Sequence, residues 1–181
     1  MEQKILFTKD ECSQIMDYIY HFDISSNGNR VDNFSFGKKY NFWIIEKNST
    51  TNWVFKRLFE WFTKSTNIEV LMNNVSKGLI HNYKIGDAFP KHIDRSAPYT
   101  DRLYNVGIQL NSMNEYDGGD YIVYTDNKNT ELISKEVGNC YYYASDVLHE
   151  VSPITKGERW SFVHHLNNNI HIISEKTNKL I

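Results

Sequence analysis

Apolar residues return at helical spacing in two stretches of the first third of the chain. Cys12, Ile15, Met16, Ile19 and Tyr20 stand at i, i+3, i+4, i+7 and i+8, the stripe of an amphipathic helix. Thr8 and Glu11 precede them as T-x-x-E. In that box the hydroxyl and the carboxylate each satisfy a backbone N–H left open at a helix start, so a helix is predicted over 8–21. Phe55, Leu58, Phe59 and Phe62 repeat the spacing behind candidate caps at 49–52, which predicts a second helix over about 51–64. Between the two, 24–41 is polar around Asn27-Gly28-Asn29 and reads as a turn followed by a loop or a weak hairpin. Phe42-Trp43-Ile44-Ile45 reads as a short strand.

After residue 68 the period changes. Short β-rich runs cover 79–85, 88–94, 102–111, 120–125, 130–137, 139–144, 147–151 and 159–166. Turn signals separate them: Ile85-Gly86-Asp87, Asp117-Gly118-Gly119, Asp126-Asn127-Lys128, Gly138-Asn139 and Lys156-Gly157. Strands of this length and spacing predict an antiparallel barrel or sandwich. The whole is α+β, mainly β, with amino-terminal helices bracing a β core. The tail, 167–181, reads as a loose terminal strand or helix.

Composition adds limits. Hydrophobic residues are 40% of the 181 and aromatic residues 14%, enough for one folded domain and against disorder. Lys and Arg number 20 against 22 Asp and Glu, so the basic excess of a nucleic-acid binder is missing. Cys12 and Cys140 are too few and too far apart for a disulfide scaffold or a zinc cluster, and read as buried thiols. No apolar leader follows Met1, and no run approaches the roughly 18 apolar residues of a membrane span. A cytoplasmic protein is expected. Frequent Asn, Ile, Lys and Tyr are compatible with an AT-rich genome, such as that of a phage, in which case the location is the host cytoplasm.

The candidate chemistry begins at His92-Ile93-Asp94. In an extended chain residues i and i+2 face the same way, so an imidazole and a carboxylate project together. One more His would complete a 2-His-1-carboxylate face, which suits Fe(II) and leaves coordination positions open. His-x-Asp alone is common by chance. Of the remaining histidines, His149 lies on a short strand after a turn, ten residues before Arg159. An arginine pointing into a β core is costly without an anion, and a dicarboxylate would supply one through a bidentate guanidinium contact. Ser161, on the same face, can add a hydrogen bond. The bland alternative for Arg159 is a surface ion pair with Glu158 or Glu150. His21, His81, His164 and His171 show no partner pattern and read as structural or exposed. Tyr141-Tyr142-Tyr143 reads as strand packing.

His92-x-Asp94, His149 and Arg159, in that order, resemble the 2-oxoglutarate/Fe(II) dioxygenases, most of all their prolyl 4-hydroxylase-like branch. Further pieces fall in the family's order: Tyr83-Lys84-Ile85-Gly86-Asp87, the strand ending Gln109-Leu110-Asn111, Tyr116-Asp117-Gly118-Gly119-Asp120, His149-Glu150-Val151-x-Pro153 and Gly157-x-Arg159. The resemblance covers about 79–166. It implies a double-stranded β-helix of the jelly-roll type, with 1–68 as helical support and substrate-loop region, 79–166 as the core and 167–181 as a tail of one oxygenase domain. It implies Fe(II) held by His92, Asp94 and His149, the catalytic set. It implies 2-oxoglutarate with its distal carboxylate on Arg159 and a contact from Tyr83, O2 as oxidant, and ascorbate as an accessory reductant. Ser161 and Gln109 are further candidates for the co-substrate.

Two positions depart from the family. Gln109 stands where many relatives carry Tyr, and His165 where many carry Trp. His165 shares a face with Arg159 and is expected at the substrate end of the pocket, as is Arg95 beside the metal ligands. Ile93, Ile108, Val123, Leu148 and Val163 are expected as dry walls. The implied reaction couples O2 to oxidative decarboxylation of 2-oxoglutarate, giving succinate, CO2 and a hydroxylated substrate. That substrate is expected to be a proline in a peptide or protein, with segment 25–41 as a loop over it. A free amino acid or other small metabolite is the alternative within this chemistry, and a non-catalytic cupin-like binding module the alternative outside it.

Overall fold

The computed structural model describes residues 1–22, 29–33, 38–126, 129–167 and 170–172. The elements follow in the order β1 (Glu2–Ile5), α1 (Lys9–Phe22), β2 (Asn29–Asn33), β3 (Lys38–Glu46), α2 (Asn52–Thr66), β4 (Ile68–Val70), β5 (Lys77–Tyr83), β6 (Phe89–His92), β7 (Tyr104–Gln109), β8 (Tyr116–Gly118), β9 (Tyr121–Tyr124), β10 (Thr130–Leu132), β11 (Asn139–Ala144), β12 (Leu148–Val151), β13 (Ile154–Gly157), β14 (Arg159–Leu166) and β15 (Ile170–Ile172).

Both predicted helices are present. The capping box at the start of α1 is reciprocal: Thr8 N–H donates to Glu11 Oε2 (2.9 Å) and Glu11 N–H to Thr8 Oγ1 (3.2 Å). Arg57 of α2 then pairs with Glu11 Oε1 at 2.7 Å and lies over the Phe7 and Trp53 rings, which ties the helices together. α2 ends at Asn67, whose φ of 58° places it in the left-handed region that stops a helix. Its face of Val54, Phe55, Leu58, Phe59, Trp61 and Phe62 is buried.

Two antiparallel sheets make the core. The larger runs β1-β11-β7-β14-β5-β3-β2 and the smaller β10-β9-β12-β6. α2 packs on one face of the larger sheet, where Phe55 meets Phe162 edge-on and Phe62 meets Tyr142. The other face looks toward the smaller sheet across a second apolar cluster. β14 shows the division most clearly. Trp160, Phe162 and Leu166 join the helix-side cluster, while Arg159, Ser161, Val163 and His165 line a cavity between the sheets. The strand period of two forces that split. The α+β, mainly β jelly-roll expected from the sequence is the fold observed.

Several local expectations need correction. Only Thr130–Leu132 of the run 130–137 is strand. β1, β8 and β13 were not anticipated; β1 is a largely exposed edge strand on β11, and β8 and β13 pair with each other through segments whose glycines read as turns. Such pieces are strands because a neighbour offers a ladder, which local pattern does not show. Of the expected walls, Val163 lines the cavity and Val123 is buried in the cluster beside it. Ile108 faces the helices, Leu148 alternates away from His149, and Ile93 is 38% exposed. Phe42–Ile45 proves to be the middle of a nine-residue strand, β3, which forms a hairpin with β2. The rest of the expected loop 25–41 and most of the tail lie outside the described residues, as do the side chains of His21 and His171. Cys12 and Cys140 are buried and unpaired with one another.

Candidate metal and anion site

Two strands of the smaller sheet bring the histidines together. His92 ends β6 and His149 sits on β12, and the two are direct cross-strand partners. Each ring is fixed by its own backbone: His92 Nδ1 lies 2.7 Å from Pro90 O and His149 Nδ1 2.9 Å from Val147 O. A carbonyl oxygen only accepts, so each Nδ1 carries the proton and each Nε2 presents a lone pair. Phe89 stacks on the His92 ring at 3.8 Å.

Asp94 completes the group. His92 Nε2 lies 3.5 Å from Asp94 Oδ1 and His149 Nε2 3.3 Å from Oδ2. All three ligand atoms fall within 4.8 Å of one another. Burial opposes the carboxylate's charge, but contacts with His149, His92 and His165 hold its pKa far below the usual carboxylate range. Burial lowers the His92 pKa. Each Nε2 faces the carboxylate, with its Nδ1 held on the backbone. Three lone-pair donors thus converge on one point, and a divalent cation there would relieve their repulsion. The donor set fits Fe(II). The i, i+2 reading put Asp94 on the correct side, but β6 stops at His92. Asp94 lies in the following bend, its N–H bonded to Ser145 O at 3.0 Å.

The larger sheet supplies the opposite charge. Arg159, at the start of β14, is 2% exposed. Its Nη1 donates to Ser161 Oγ at 3.3 Å, and its guanidinium sits beside the Tyr83 and Tyr121 rings at 5.7 and 5.5 Å. Among the described residues no carboxylate pairs with it. Glu158 is taken by Asn82 (3.0 Å) and Lys84, and Glu150 by Tyr124, so the surface ion pair is not formed. Burial also raises the pKa of Tyr83 and Tyr121 well above normal, so these phenols stay neutral and give no counter-charge. The alkyl stem of Arg159 passes Gly119 (φ +62°), where a Cβ would stand 3.2 Å from Arg159 Cδ and 2.4 Å from Ile154 Cδ1. Gly119 therefore leaves room for Ile154 and for the arginine stem.

A cavity of about 330 Å³ joins the two charges. It collects Tyr83, His92, Asp94, His149, Arg159, Ser161 and His165 from the sequence-based candidates. Two candidates are not brought there. Gln109 spends its NH2 on Asn111 O (3.0 Å), Asn111 Oδ1 (3.3 Å) and Tyr116 Oη (3.1 Å), so it props Tyr116 and does not line the cavity. Arg95 is exposed, with its Nε on Thr100 O at 3.3 Å. The cation at the mouth is Arg102, 3.5 Å from Asp94 Oδ1 and stacked over Tyr99 at 4.0 Å. It follows an irregular stretch whose path no periodicity reveals. His81, read as structural, lines the cavity against Tyr40. Strand alternation from Arg159's partner Tyr83 would have found it. Asn105 was also missed. It donates to Asp94 Oδ2 at 2.8 Å and shares the parity of Gln109 on β7.

Comparison with known proteins agrees with this geometry. Residues 78–167 match the 2OG-Fe(II) oxygenase superfamily model. A PKHD-type hydroxylase of Shewanella oneidensis is 33% identical over 88 residues, 46% of this chain and 39% of that protein. A PKHD-type hydroxylase of Pseudomonas putida is 24% identical over 165 residues, 86% of this chain and 73% of that protein. The matched stretch thus spans about two fifths of the Shewanella relative's length. A crystal structure of a Pseudomonas putida prolyl-4-hydroxylase superposes with a TM-score of 0.73 at 15% identity over 92% of both chains. A Trichoplax adhaerens prolyl hydroxylase, in complex with a hypoxia inducible factor oxygen degradation domain peptide fragment, gives 0.68 at 16% identity over 90% of this chain and 80% of that one. At these identities the superpositions speak for the fold. Through residues 78–167 the chain belongs to the 2OG-Fe(II) oxygenase superfamily, whose cofactors are Fe(II), 2-oxoglutarate and O2.

Proposed function

We propose that the chain is a 2-oxoglutarate- and Fe(II)-dependent hydroxylase of prolyl 4-hydroxylase type, acting on a peptide or protein. One observation carries the reading: a buried guanidinium with no acidic partner among the described residues shares a cavity with a 2-His-1-carboxylate set. A stable fold gains nothing from such a cation, whereas a dicarboxylate co-substrate needs it.

In this reading His92, Asp94 and His149 hold the iron, with each Nε2 aimed by the Nδ1–H bond behind it. Arg159 receives the distal carboxylate of 2-oxoglutarate, and Ser161 Oγ keeps the guanidinium turned toward it. The neutral hydroxyl of Tyr83 is a further donor at that end. Bound there, Fe(II) with 2-oxoglutarate and O2 supplies the oxidising power for C–H hydroxylation, with succinate and CO2 released. Tyr40, Phe89, Tyr121 and Val151 wall the cavity and exclude water from it.

The peptide substrate is supported by the similar structures, which are prolyl hydroxylases, one of them bound to a peptide. Arg102 at the mouth favours a second reading, a small carboxylate-bearing substrate such as a free amino acid. Incubation with Fe(II), 2-oxoglutarate and O2 against a proline-containing peptide library and a panel of amino acids separates them. The expected result is substrate-dependent succinate and one added oxygen atom in a peptide. Gain of oxygen only in a free amino acid selects the second reading. An absence of any visible absorption band on anaerobic addition of Fe(II) and 2-oxoglutarate would instead select the non-catalytic binding module.

A further inference from the structure

We propose that Ser145 and Asn105 form a clamp that presets the Asp94 carboxylate for the metal; this rests on the metal-centre reading above. Asp94 lies beyond the end of β6, so no ladder bond fixes it. Three hydrogen bonds do so in a closed ring. Asp94 N–H donates to Ser145 O (3.0 Å), Ser145 Oγ–H to Asn105 Oδ1 (3.0 Å), and Asn105 Nδ2–H to Asp94 Oδ2 (2.8 Å). One serine thereby holds the aspartate's backbone directly and its carboxylate through the amide.

Two donors act together to orient that amide. His165 Nδ1 also lies 2.8 Å from Asn105 Oδ1. Two donors on the oxygen leave Nδ2 to face Asp94. Ser145 is 0% and Asn105 1% exposed, so water does not compete for these groups and each bond is stronger than at a surface. Ser145 is itself anchored, its N–H on Leu103 O at 3.0 Å just before β7. Arg102 touches the other carboxylate oxygen, but at 3.5 Å and from a partly exposed side chain. The clamp is the rigid side of the aspartate's surroundings. Partners behind a metal ligand typically govern roughly 10–100-fold in affinity, and Asn105 has the geometry of such a partner. His165 links this clamp to the cavity wall, so it acts as a positioning residue through Asn105.

Cobalt(II) titration of the metal-free chain, followed by the visible d–d spectrum, tests this without turnover. Asn105→Ala is expected to lose roughly 10–100-fold in cobalt affinity and to change the band shape. Ser145→Ala keeps its backbone carbonyl, so its ligand-free thermal midpoint should stay near wild type while cobalt affinity falls. In the Asn105→Ala background, Ser145→Ala should add nothing, because the ring is already open. Wild-type affinity in Ser145→Ala, or fully additive losses in the double variant, would overturn the clamp. Should Asn105→Ala fail to fold, Ser145→Ala alone decides. A wild-type chain that binds no cobalt removes the metal centre and the clamp together; a wild type that binds alongside variants that bind equally removes only the clamp.

Discussion

Arg159 carries a buried charge that no carboxylate among the described residues balances, and two opposite effects follow from that one side chain. Arg159→Ala should raise the 2-oxoglutarate concentration needed for half-maximal succinate production by at least about tenfold, since a charge-assisted contact contributes about 1.5–3 kcal/mol. Arg159→Met should leave the ligand-free chain as stable as wild type or more so, because an apolar residue of similar length replaces an unpaired cation. A gain of about 1 kcal/mol would appear as a rise of roughly 2–4 °C in Tm. The same variant should lose the thermal shift that 2-oxoglutarate gives the wild type. His164 shows burial acting on a different group. It faces the helices, with Nδ1 on Lys77 O at 2.9 Å and its ring against Phe59, and burial pushes its pKa down from 6.5 to about 4. The folded chain thus takes up this proton only near pH 4, whereas the unfolded chain takes it up near 6.5. Stability from this group is complete above about 6.5 and falls as pH drops toward 4, by about 2 kcal/mol at pH 5. His164→Gln should show a smaller drop in Tm between neutral pH and pH 5 than wild type.

At the scale of elements, what the sequence shows is what a local period can encode. The T-x-x-E start of α1, the apolar face of α2 and the alternation along β14 are all properties of neighbouring residues, and all three are found as read. The triad was legible because His92 and Asp94 are near neighbours and His149 lies on a short, well-marked strand. Arg102 was not, since a turn path with no period carries it to the mouth. Gln109 was misplaced because its face is legible but the reach of its side chain toward Tyr116 is not. Glycine in the β8–β9 turn gives the element-scale prediction. Gly119→Ala places a methyl 2.4 Å from Ile154 Cδ1 at a φ of +62°, which should cost about 1–3 kcal/mol. Because Arg159 Cδ is its next neighbour, the variant should also weaken 2-oxoglutarate binding, measurable by titration on the folded fraction. Normal affinity with lowered Tm would separate the turn from the arginine.

At the scale of the molecule, the cavity lies between two sheets. His92 and His149 belong to the smaller sheet and Arg159 to the larger. In the proposed reading, a dicarboxylate spanning from metal to guanidinium would fasten one sheet to the other. Ligands that bind only the folded state stabilise it by about 2.7 kcal/mol at a hundredfold excess over Kd. Fe(II) and 2-oxoglutarate together should thus raise Tm well above either alone, and EDTA should reverse the gain. Additive shifts would argue against a ligand bridging the sheets. Among the described residues no helix is long and apolar enough to cross a membrane.

The alternation of β14 has a consequence for how this gene can vary. Odd positions 159, 161, 163 and 165 face the cavity and even ones the helices, and partner β5 keeps the same parity with Leu79, His81 and Tyr83 inward. A point substitution on either strand disturbs one face at one place. Loss of codon 160 or 161 would invert the parity of everything beyond it, presenting Phe162 and His164 to the cavity and Val163 and His165 to the helical layer. Substitutions along this strand can accumulate gradually across descendants, whereas one-residue changes of length are confined to the loops.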